Sequence, residues 1–162
     1  MPRQTALIVA VPEAEPAVAE LRLEHDPTAR LGVPAHITIL YPFAPPDAVD
    51  EESIASLLAP VAAFRFELAS VEHFDDDVTY LAPRPVRPFD DLIAGAIARW
   101  PEYPPYGGTI DSVIPHLTVG LSRLDLSIAL PIACVARAVT LLEEGGDGRW
   151  RPRRVFPLQG VA

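Results

Sequence analysis

One short motif occurs twice in this chain and constrains its fold more than any other feature. The copies are His-Ile-Thr at residues 36–38 and His-Leu-Thr at residues 116–118, each inside an apolar, β-branched run that predicts a β-strand. Because successive side chains of a strand point to opposite faces, the histidine and threonine of each copy share a face, and the aliphatic residue lies on the other. The fold must therefore hold two strands that bury one face and present an imidazole and a hydroxyl on the other.

The elements around the two copies follow one order, which predicts a duplicated α+β fold. Residues 5–11 are typical of a buried strand, and residues 13–24 carry acidic side chains early and a basic one late, as a helix favours. A short strand and a helix, within residues 78–100, likewise precede the second histidine. Hairpin signals near positions 75 and 146 favour antiparallel pairing. We therefore expect a bilobal, pseudo-twofold α+β fold, in which each lobe is a mostly antiparallel sheet with helices on the outside and a cleft separates the lobes.

The length of the chain fits a single domain with a substantial core. We expect one domain over residues 1–162, with lobes of about residues 1–75 and 76–162, a division that allows strands to be exchanged between the lobes. In the second lobe, residues 135–142 predict one strand. Residues 124–133 are ambiguous, with a short helix cut by a proline as one interpretation.

Composition and charge exclude several classes of protein. With 49% hydrophobic and 22% charged residues, the chain is globular rather than disordered, and its apolar runs are too short to span a membrane. The net charge of −9 counts against a DNA duplex as partner, because nucleic-acid binders carry a basic footprint. The single cysteine, Cys134, excludes an internal disulfide and fits a reducing compartment. We expect a cytoplasmic monomer.

Two histidines on strands suggest acid–base chemistry at phosphorus. Hydrolysis of a phosphodiester needs a base to take the proton of the nucleophile and an acid to protonate the leaving oxygen, on opposite sides of the phosphorus. Histidine suits both tasks, because its ordinary pKa is about 6.5. The threonine hydroxyls would donate hydrogen bonds to the non-bridging oxygens, where charge builds in the transition state. The pattern does not assign the acid and the base.

The two motifs and their surroundings resemble a known family. The first motif is followed by Leu-Tyr-Pro-Phe at residues 40–43, and the chain closes with Phe-Pro-Leu at residues 156–158. Together with the second motif, these features resemble the two-histidine phosphoesterase superfamily, the 2′-5′ RNA ligase-like proteins. The resemblance covers most of the chain and implies a bilobal fold in which the two motifs face each other across a central cleft.

The resemblance also implies an activity and the residues that perform it. The activity would be metal-independent opening of a 2′,3′-cyclic phosphate, or of a related cyclic or 2′-5′ phosphodiester, in a small nucleotide or at an RNA end. The reverse reaction would be 2′-5′ RNA ligation. Carried over by residue, His36 and His116 would be the acid–base pair, and Thr38 and Thr118 would bind the phosphate. No cofactor and no metal are implied.

Four further side chains are candidates for contacts with the substrate. Tyr41 follows the first motif and could line the rim of the site. Tyr103 and Tyr106 belong to a proline- and glycine-rich loop that leads to the second motif, where aromatic rings could stack on a nucleobase. In many members of the family a basic residue follows the second motif, and Arg123 is a displaced counterpart.

Two other interpretations remain open. A chain with this fold could bind a nucleotide or another phosphorylated ligand without turning it over. A metal site that uses both histidines is disfavoured, because no Cys, Asp or Glu lies near either motif at ligand spacing. Three consecutive aspartates at residues 75–77 also lack ligand spacing and predict a solvated turn.

Overall fold

Two four-stranded sheets organise the computed structural model, which describes residues 2–109 and 112–160. The first sheet contains, in spatial order, β2 (His36–Leu40), β1 (Thr5–Ala10), β7 (Ala138–Glu144) and β8 (Trp150–Pro157). The second contains β5 (Leu117–Gly120), β4 (Thr79–Arg84), β3 (Phe64–His73) and β6 (Ile132–Ala136). Every pairing within the two sheets is antiparallel. This arrangement confirms the predicted bilobal α+β class.

The helices repeat the order that the sequence predicts. The α-helices of the described residues are α1 (Glu15–His25), α2 (Pro27–Arg30), α3 (Glu51–Leu58) and α4 (Arg87–Arg99). The succession strand, helix, histidine strand occurs as β1-α1-β2 and again as β4-α4-β5. Helix α1 packs against β5, and α4 packs against β2, so each helix supports the histidine strand of the other sheet. None of the described helices is long and apolar enough to cross a membrane.

The predicted alternation of side chains is confirmed in both histidine strands. Ile37 and Ile39 of β2 are 0% and 3% exposed, and Leu117 and Val119 of β5 are fully buried. All four belong to one hydrophobic core that extends over both sheets. Burial of each such side chain stabilises the fold by about 1.5–3 kcal/mol. Since this face of each strand is fixed in the core, the histidine and threonine must point the other way.

The two histidine strands lie beside each other because both are edge strands. Strand β2 is the terminal strand of the first sheet, β5 is the terminal strand of the second, and the two are in contact. Gly120, at the end of β5, permits a close approach to α1, since a Cβ at this position would lie 2.7 Å from Cβ of His25. Its neighbour Leu121 donates its backbone N–H to the His25 carbonyl at 3.0 Å. The end of α1 is thereby attached to the second histidine strand.

Two segments differ from the sequence prediction. Residues 124–131 are irregular and contain no helix. The strand predicted over residues 135–142 is two strands, β6 and β7, because the chain crosses at Arg137 from the second sheet to the first. The division at Arg137 arises because β6 and β7 pair with strands from distant parts of the chain, which local patterns do not identify.

Candidate active site

Both copies of the motif line one cavity, which we call the first chamber. Its volume is about 260 Å³, and its walls come from both sheets. The lining residues are Ala6, Ile8, Asp26, Thr28, Val33, His36, Thr38, Tyr41, Tyr106, His116, Thr118, Leu121, Leu142 and Trp150. The edge positions of β2 and β5 thus bring two imidazoles and two hydroxyls to one space, although the motifs are far apart in the chain.

Each histidine ring is held by the same kind of hydrogen bond. Nδ1 of His36 lies 2.7 Å from the carbonyl oxygen of Pro34, and Nδ1 of His116 lies 2.6 Å from that of Ile114. A carbonyl oxygen can only accept, so Nδ1 carries the proton in both rings. In the neutral ring Nε2 then has a free lone pair. Nε2 is therefore the atom of each ring that can exchange a proton with a bound group.

The surroundings of His36 disfavour its charged form. Burial lowers the pKa of His36 to about 4, and the hydrogen bond to Pro34 opposes this only in part. The Arg22 guanidinium lowers the pKa further, and the Asp26 carboxylate raises it by less. His36 is consequently neutral at pH 7 and can accept a proton.

A buried ion pair lies beside the first histidine. Arg22 and Asp26 are 2% and 4% exposed, and Nη2 of Arg22 donates to Oδ2 of Asp26 at 3.2 Å. Nη1 donates to the carbonyl of Val33 at 3.0 Å, at the start of the segment that leads into β2. Oδ1 of Asp26 accepts from the backbone N–H and the hydroxyl of Thr28 at 3.0 and 2.9 Å. This network fixes the backbone that precedes the first motif.

The second histidine has different neighbours. Burial lowers the pKa of His116, whereas the hydrogen bond to Ile114 and the carboxylate of Asp76 raise it. The rings of Phe74 and Tyr80 stand edge-on to the imidazole, with centroid distances of 5.0 and 5.7 Å. Aromatic packing and a nearby carboxylate thus surround His116, whereas a buried ion pair lies beside His36.

Three aromatic side chains form one wall of the first chamber. The ring of Tyr41 stands edge-on to that of Tyr106 at 6.3 Å and to that of Trp150 at 6.0 Å. The hydroxyl of Tyr41 donates to Oε1 of Gln4 at 2.9 Å, and the backbone N–H of Tyr106 donates to the Tyr41 carbonyl at 2.7 Å. These contacts hold the rings as a rigid, mostly apolar surface beside the motifs.

Tyr106 also contacts one of the predicted phosphate-binding threonines. Burial raises the pKa of Tyr106, and a hydrogen bond with the Thr38 side chain opposes the rise. The phenol is therefore protonated at neutral pH. The residue has φ of 52°, a left-handed conformation that non-glycine residues seldom adopt.

The structure places two of the candidate substrate contacts away from the first chamber. The ring of Tyr103 packs edge-on against Phe43 of the core, with a centroid distance of 5.5 Å. Nη1 of Arg123 lies 4.0 Å from Oδ1 of Asp77, on the surface. Neither side chain is among the described residues that line the chamber.

Trp150 and Asp26 are among the chamber residues that sequence reasoning misses. Trp150 begins β8, and it reaches the site because β8 pairs with β7 and β7 with β1. No local signal in the sequence indicates this path. In the sequence, Asp26 lies where the first helix is expected to end. Its spacing of four residues from Arg22 is the one signal that could have indicated an ion pair.

The ionisable groups around the chamber do not form a metal-ligand set. In residues 2–109 and 112–160, no three or more His, Cys, Asp or Glu side chains come close enough to hold a metal ion together. The carboxylate beside the motifs, Asp26, already accepts hydrogen bonds from Arg22 and Thr28. The arrangement of these groups suits proton transfer instead.

Comparison with solved structures shows which fold the chain shares. Escherichia coli LigT complexed with 3′-AMP has a TM-score of 0.66 at 18% identity, over 98% of this chain and 99% of that chain. LigT complexed with NADP+ has a TM-score of 0.65 at 20% identity, over 98% of each chain. TT0787 of Thermus thermophilus has a TM-score of 0.64 at 19% identity, over 98% of this chain and all of that chain. At these identities the likeness shows a shared fold.

Sequence comparison identifies the family. No curated protein matches the sequence. The model of the 2′-5′ RNA ligase superfamily, however, matches residues 10–156, a range that contains both motifs and nearly all strands of both sheets. The chain belongs to the 2′-5′ RNA ligase superfamily.

Proposed function

We propose that the protein is a phosphodiesterase that opens a 2′,3′-cyclic phosphate, or a related cyclic or 2′-5′ phosphodiester, without a metal ion. The substrate would be a small nucleotide or an RNA end. One observation carries the proposal: two imidazoles line one chamber together with two threonine hydroxyls, and in each ring Nδ1 is hydrogen-bonded to a carbonyl oxygen, which leaves the lone pair of the neutral ring on Nε2.

The reaction needs only groups that this chamber supplies. Water attacks the phosphorus while Nε2 of one histidine takes its proton. The bond from phosphorus to the 2′ or 3′ oxygen breaks, and the other histidine protonates that oxygen. Hydroxyls of Thr38 and Thr118 donate to the non-bridging oxygens as charge builds there. With a 5′-hydroxyl in place of water as the nucleophile and the 3′ oxygen as the leaving group, the same ring opening would give a 2′-5′ linkage.

The charges around the two rings suggest separate roles. The Arg22 cation disfavours a proton on His36, whereas the Asp76 carboxylate favours one on His116. When the pair carries one proton, that proton resides on His116. His36 is then the base that activates water, and His116 is the acid that protonates the leaving oxygen.

The wall of three aromatic rings favours a nucleotide as the substrate. Every nucleobase has a face that can stack on an aromatic side chain, with a contribution of about 1–3 kcal/mol per base. Tyr41, Tyr106 and Trp150 present such surfaces beside the motifs. Structures of LigT, which share this fold, are described as complexes with 3′-AMP, ATP and NADP+.

The proposal is tested with a panel of substrates in the presence of EDTA. The panel contains nucleoside 2′,3′-cyclic phosphates together with 2′-5′ and 3′-5′ dinucleotides, and ³¹P NMR identifies the product. We expect EDTA-resistant hydrolysis of the cyclic phosphate to a single regioisomer. Binding without turnover across the panel would contradict the proposal and favour a nucleotide-binding module of the same fold. Turnover that is abolished by EDTA would favour a metal site.

A further inference from the structure

A second cavity adjoins the first chamber at His116. This second chamber has a volume of about 410 Å³ and shares Tyr106, His116, Thr118 and Leu121 with the first. Its remaining walls are mostly apolar and include Phe74 and Ile114. A phosphoryl group held by the two motifs would therefore border both cavities, and each cavity can take one of the groups that flank the phosphorus.

The charged side chains of the two chambers are carboxylates. Asp26 lines the first chamber and Asp76 lines the second, and no arginine is among the described residues that line either one. All 13 basic residues of the chain are arginines. The arginine that follows the second motif, Arg123, lies on Asp77 instead. A second phosphate on the substrate would thus face a carboxylate in either chamber.

We propose that the site selects substrates with a single phosphoryl group and that Asp76 is the main residue that rejects a second one. Its substrates are then unphosphorylated nucleoside cyclic phosphates rather than RNA ends or nucleotides with a 5′-phosphate. This inference rests on the proposed function for the position of the reacting phosphate. Like charges at close range oppose binding, and the net charge of −9 adds a weaker repulsion at long range.

Asp76 is a stronger barrier than Asp26 because its charge is less compensated. Asp26 is paired with Arg22 and also accepts two hydrogen bonds from Thr28. Asp76 is exposed in the turn between β3 and β4, where Oδ1 accepts from the backbone N–H of Val78 at 3.2 Å. An asparagine at this position can keep that hydrogen bond through its side-chain carbonyl oxygen, so Asp76→Asn removes the charge and preserves the turn.

The test compares two substrates that differ by one phosphate. The specificity ratio is kcat/KM for adenosine 2′,3′-cyclic phosphate divided by kcat/KM for the same compound with a 5′-phosphate. Any general effect of a variant on catalysis cancels in this ratio. Asp76→Asn is matched by Asp75→Asn, which makes the same charge change at an exposed neighbour that lines neither chamber. Binding of adenosine 2′-monophosphate and adenosine 2′,5′-bisphosphate is measured in parallel by calorimetry.

We expect a specificity ratio of about ten or more at low salt, because two like charges a few ångströms apart repel each other by about that much. The ratio should decline as added salt screens the repulsion. Asp76→Asn should lower the ratio at least threefold, and Asp75→Asn should leave it near the wild-type value. A wild-type ratio of one or less, or equal effects of the two variants, would overturn the inference. If neither substrate is hydrolysed, the proposed function fails, and the ratio of the two dissociation constants still decides whether the site rejects a second phosphate.

Discussion

His36 and His116 are oriented by the same backbone geometry but lie beside different charged groups. In each half a strand buries its aliphatic residues, and a carbonyl two positions before the histidine accepts from Nδ1. Beside His36 lies the buried ion pair of Arg22 and Asp26, in which the Arg22 cation has the larger effect on the imidazole, whereas beside His116 lies the carboxylate of Asp76. Two copies of one motif therefore offer the same atom to the substrate in two electrostatic environments.

This difference shows how a duplicated motif can acquire two roles. Strand geometry places each Nε2 and each hydroxyl, and it acts equally in both halves. The proton affinity of each ring depends on residues outside the motif, on α1 in one half and in the β3–β4 turn in the other. An acid and a base that act on one phosphorus need different proton affinities, because two imidazoles of equal affinity would compete for the same proton.

Loss of either imidazole should have the largest effect on activity. We expect His36→Ala and His116→Ala each to lower kcat/KM for a 2′,3′-cyclic phosphate by about 10²–10⁴-fold, the usual contribution of a general acid or base. His25→Ala, a histidine outside the chamber, serves as the control and should retain activity. If one of the two site variants kept full activity, the two halves would not act together.

Loss of either threonine hydroxyl should have the next largest effect on activity. We expect Thr38→Val and Thr118→Val to lower kcat by about 10²–10³-fold, because each removes one donor to the developing charge. Thr→Ser at the same positions keeps the hydroxyl and should restore most of the rate. Equal loss with valine and serine would instead indicate that the methyl group, and hence packing, is what matters at that position.

The buried ion pair of the first half has an exposed counterpart that permits a matched test of stability. Arg22 and Asp26 are buried, whereas Arg87 and Asp91 have the same spacing on α4 at the surface. Arg22→Met leaves a buried carboxylate without its cation and should lower the free energy of unfolding by about 3–5 kcal/mol. Arg87→Met should change it by less than about 1 kcal/mol. Urea denaturation measures both, and similar losses would show that burial of the pair has no special role.

The pH dependence of kcat/KM should reveal that the two imidazoles differ in pKa. The active form has His116 protonated and His36 neutral. Since the pKa of His116 lies below the ordinary 6.5 and that of His36 is about 4, activity should rise as pH falls from 8 and His116 gains its proton, and it should decline as pH approaches 4 and His36 is protonated. Asp76→Asn removes a charge that raises the pKa of His116, so it should move the basic limb to lower pH. A basic limb that does not move would assign that limb to another group.

Much of this molecule can be predicted from local patterns. The alternation in the two histidine strands gives the buried face, and the repeated strand–helix–strand order gives the α+β class, because both depend on neighbouring residues. The break at Arg137 cannot be predicted in this way, since it exists only because β6 pairs with β3 and β7 with β1. The position of Trp150 in the chamber escapes local patterns for the same reason.

The electrostatic part of the site is the least accessible to sequence reasoning. In the sequence Arg22 is a basic residue that suits the end of a helix, yet it is buried beneath the first motif. The aspartates at residues 75–77 predict a solvated turn, and they do form one, but Asp76 also lines the second chamber. Which charged side chain lies at the site depends on how the two sheets pack together, and the periodicity of the sequence does not indicate that packing.

The claim that both imidazoles act on one phosphoryl group is tested most directly by combining their replacements. Rates of 2′,3′-cyclic phosphate hydrolysis are measured for His36→Ala, His116→Ala and the double variant, all in EDTA. When residues act as a unit, the effects of replacing them are not additive, so the double variant should be about as slow as the slower single variant. If instead the two losses multiply in the double variant, the histidines act independently, and the account of a single acid–base pair is wrong.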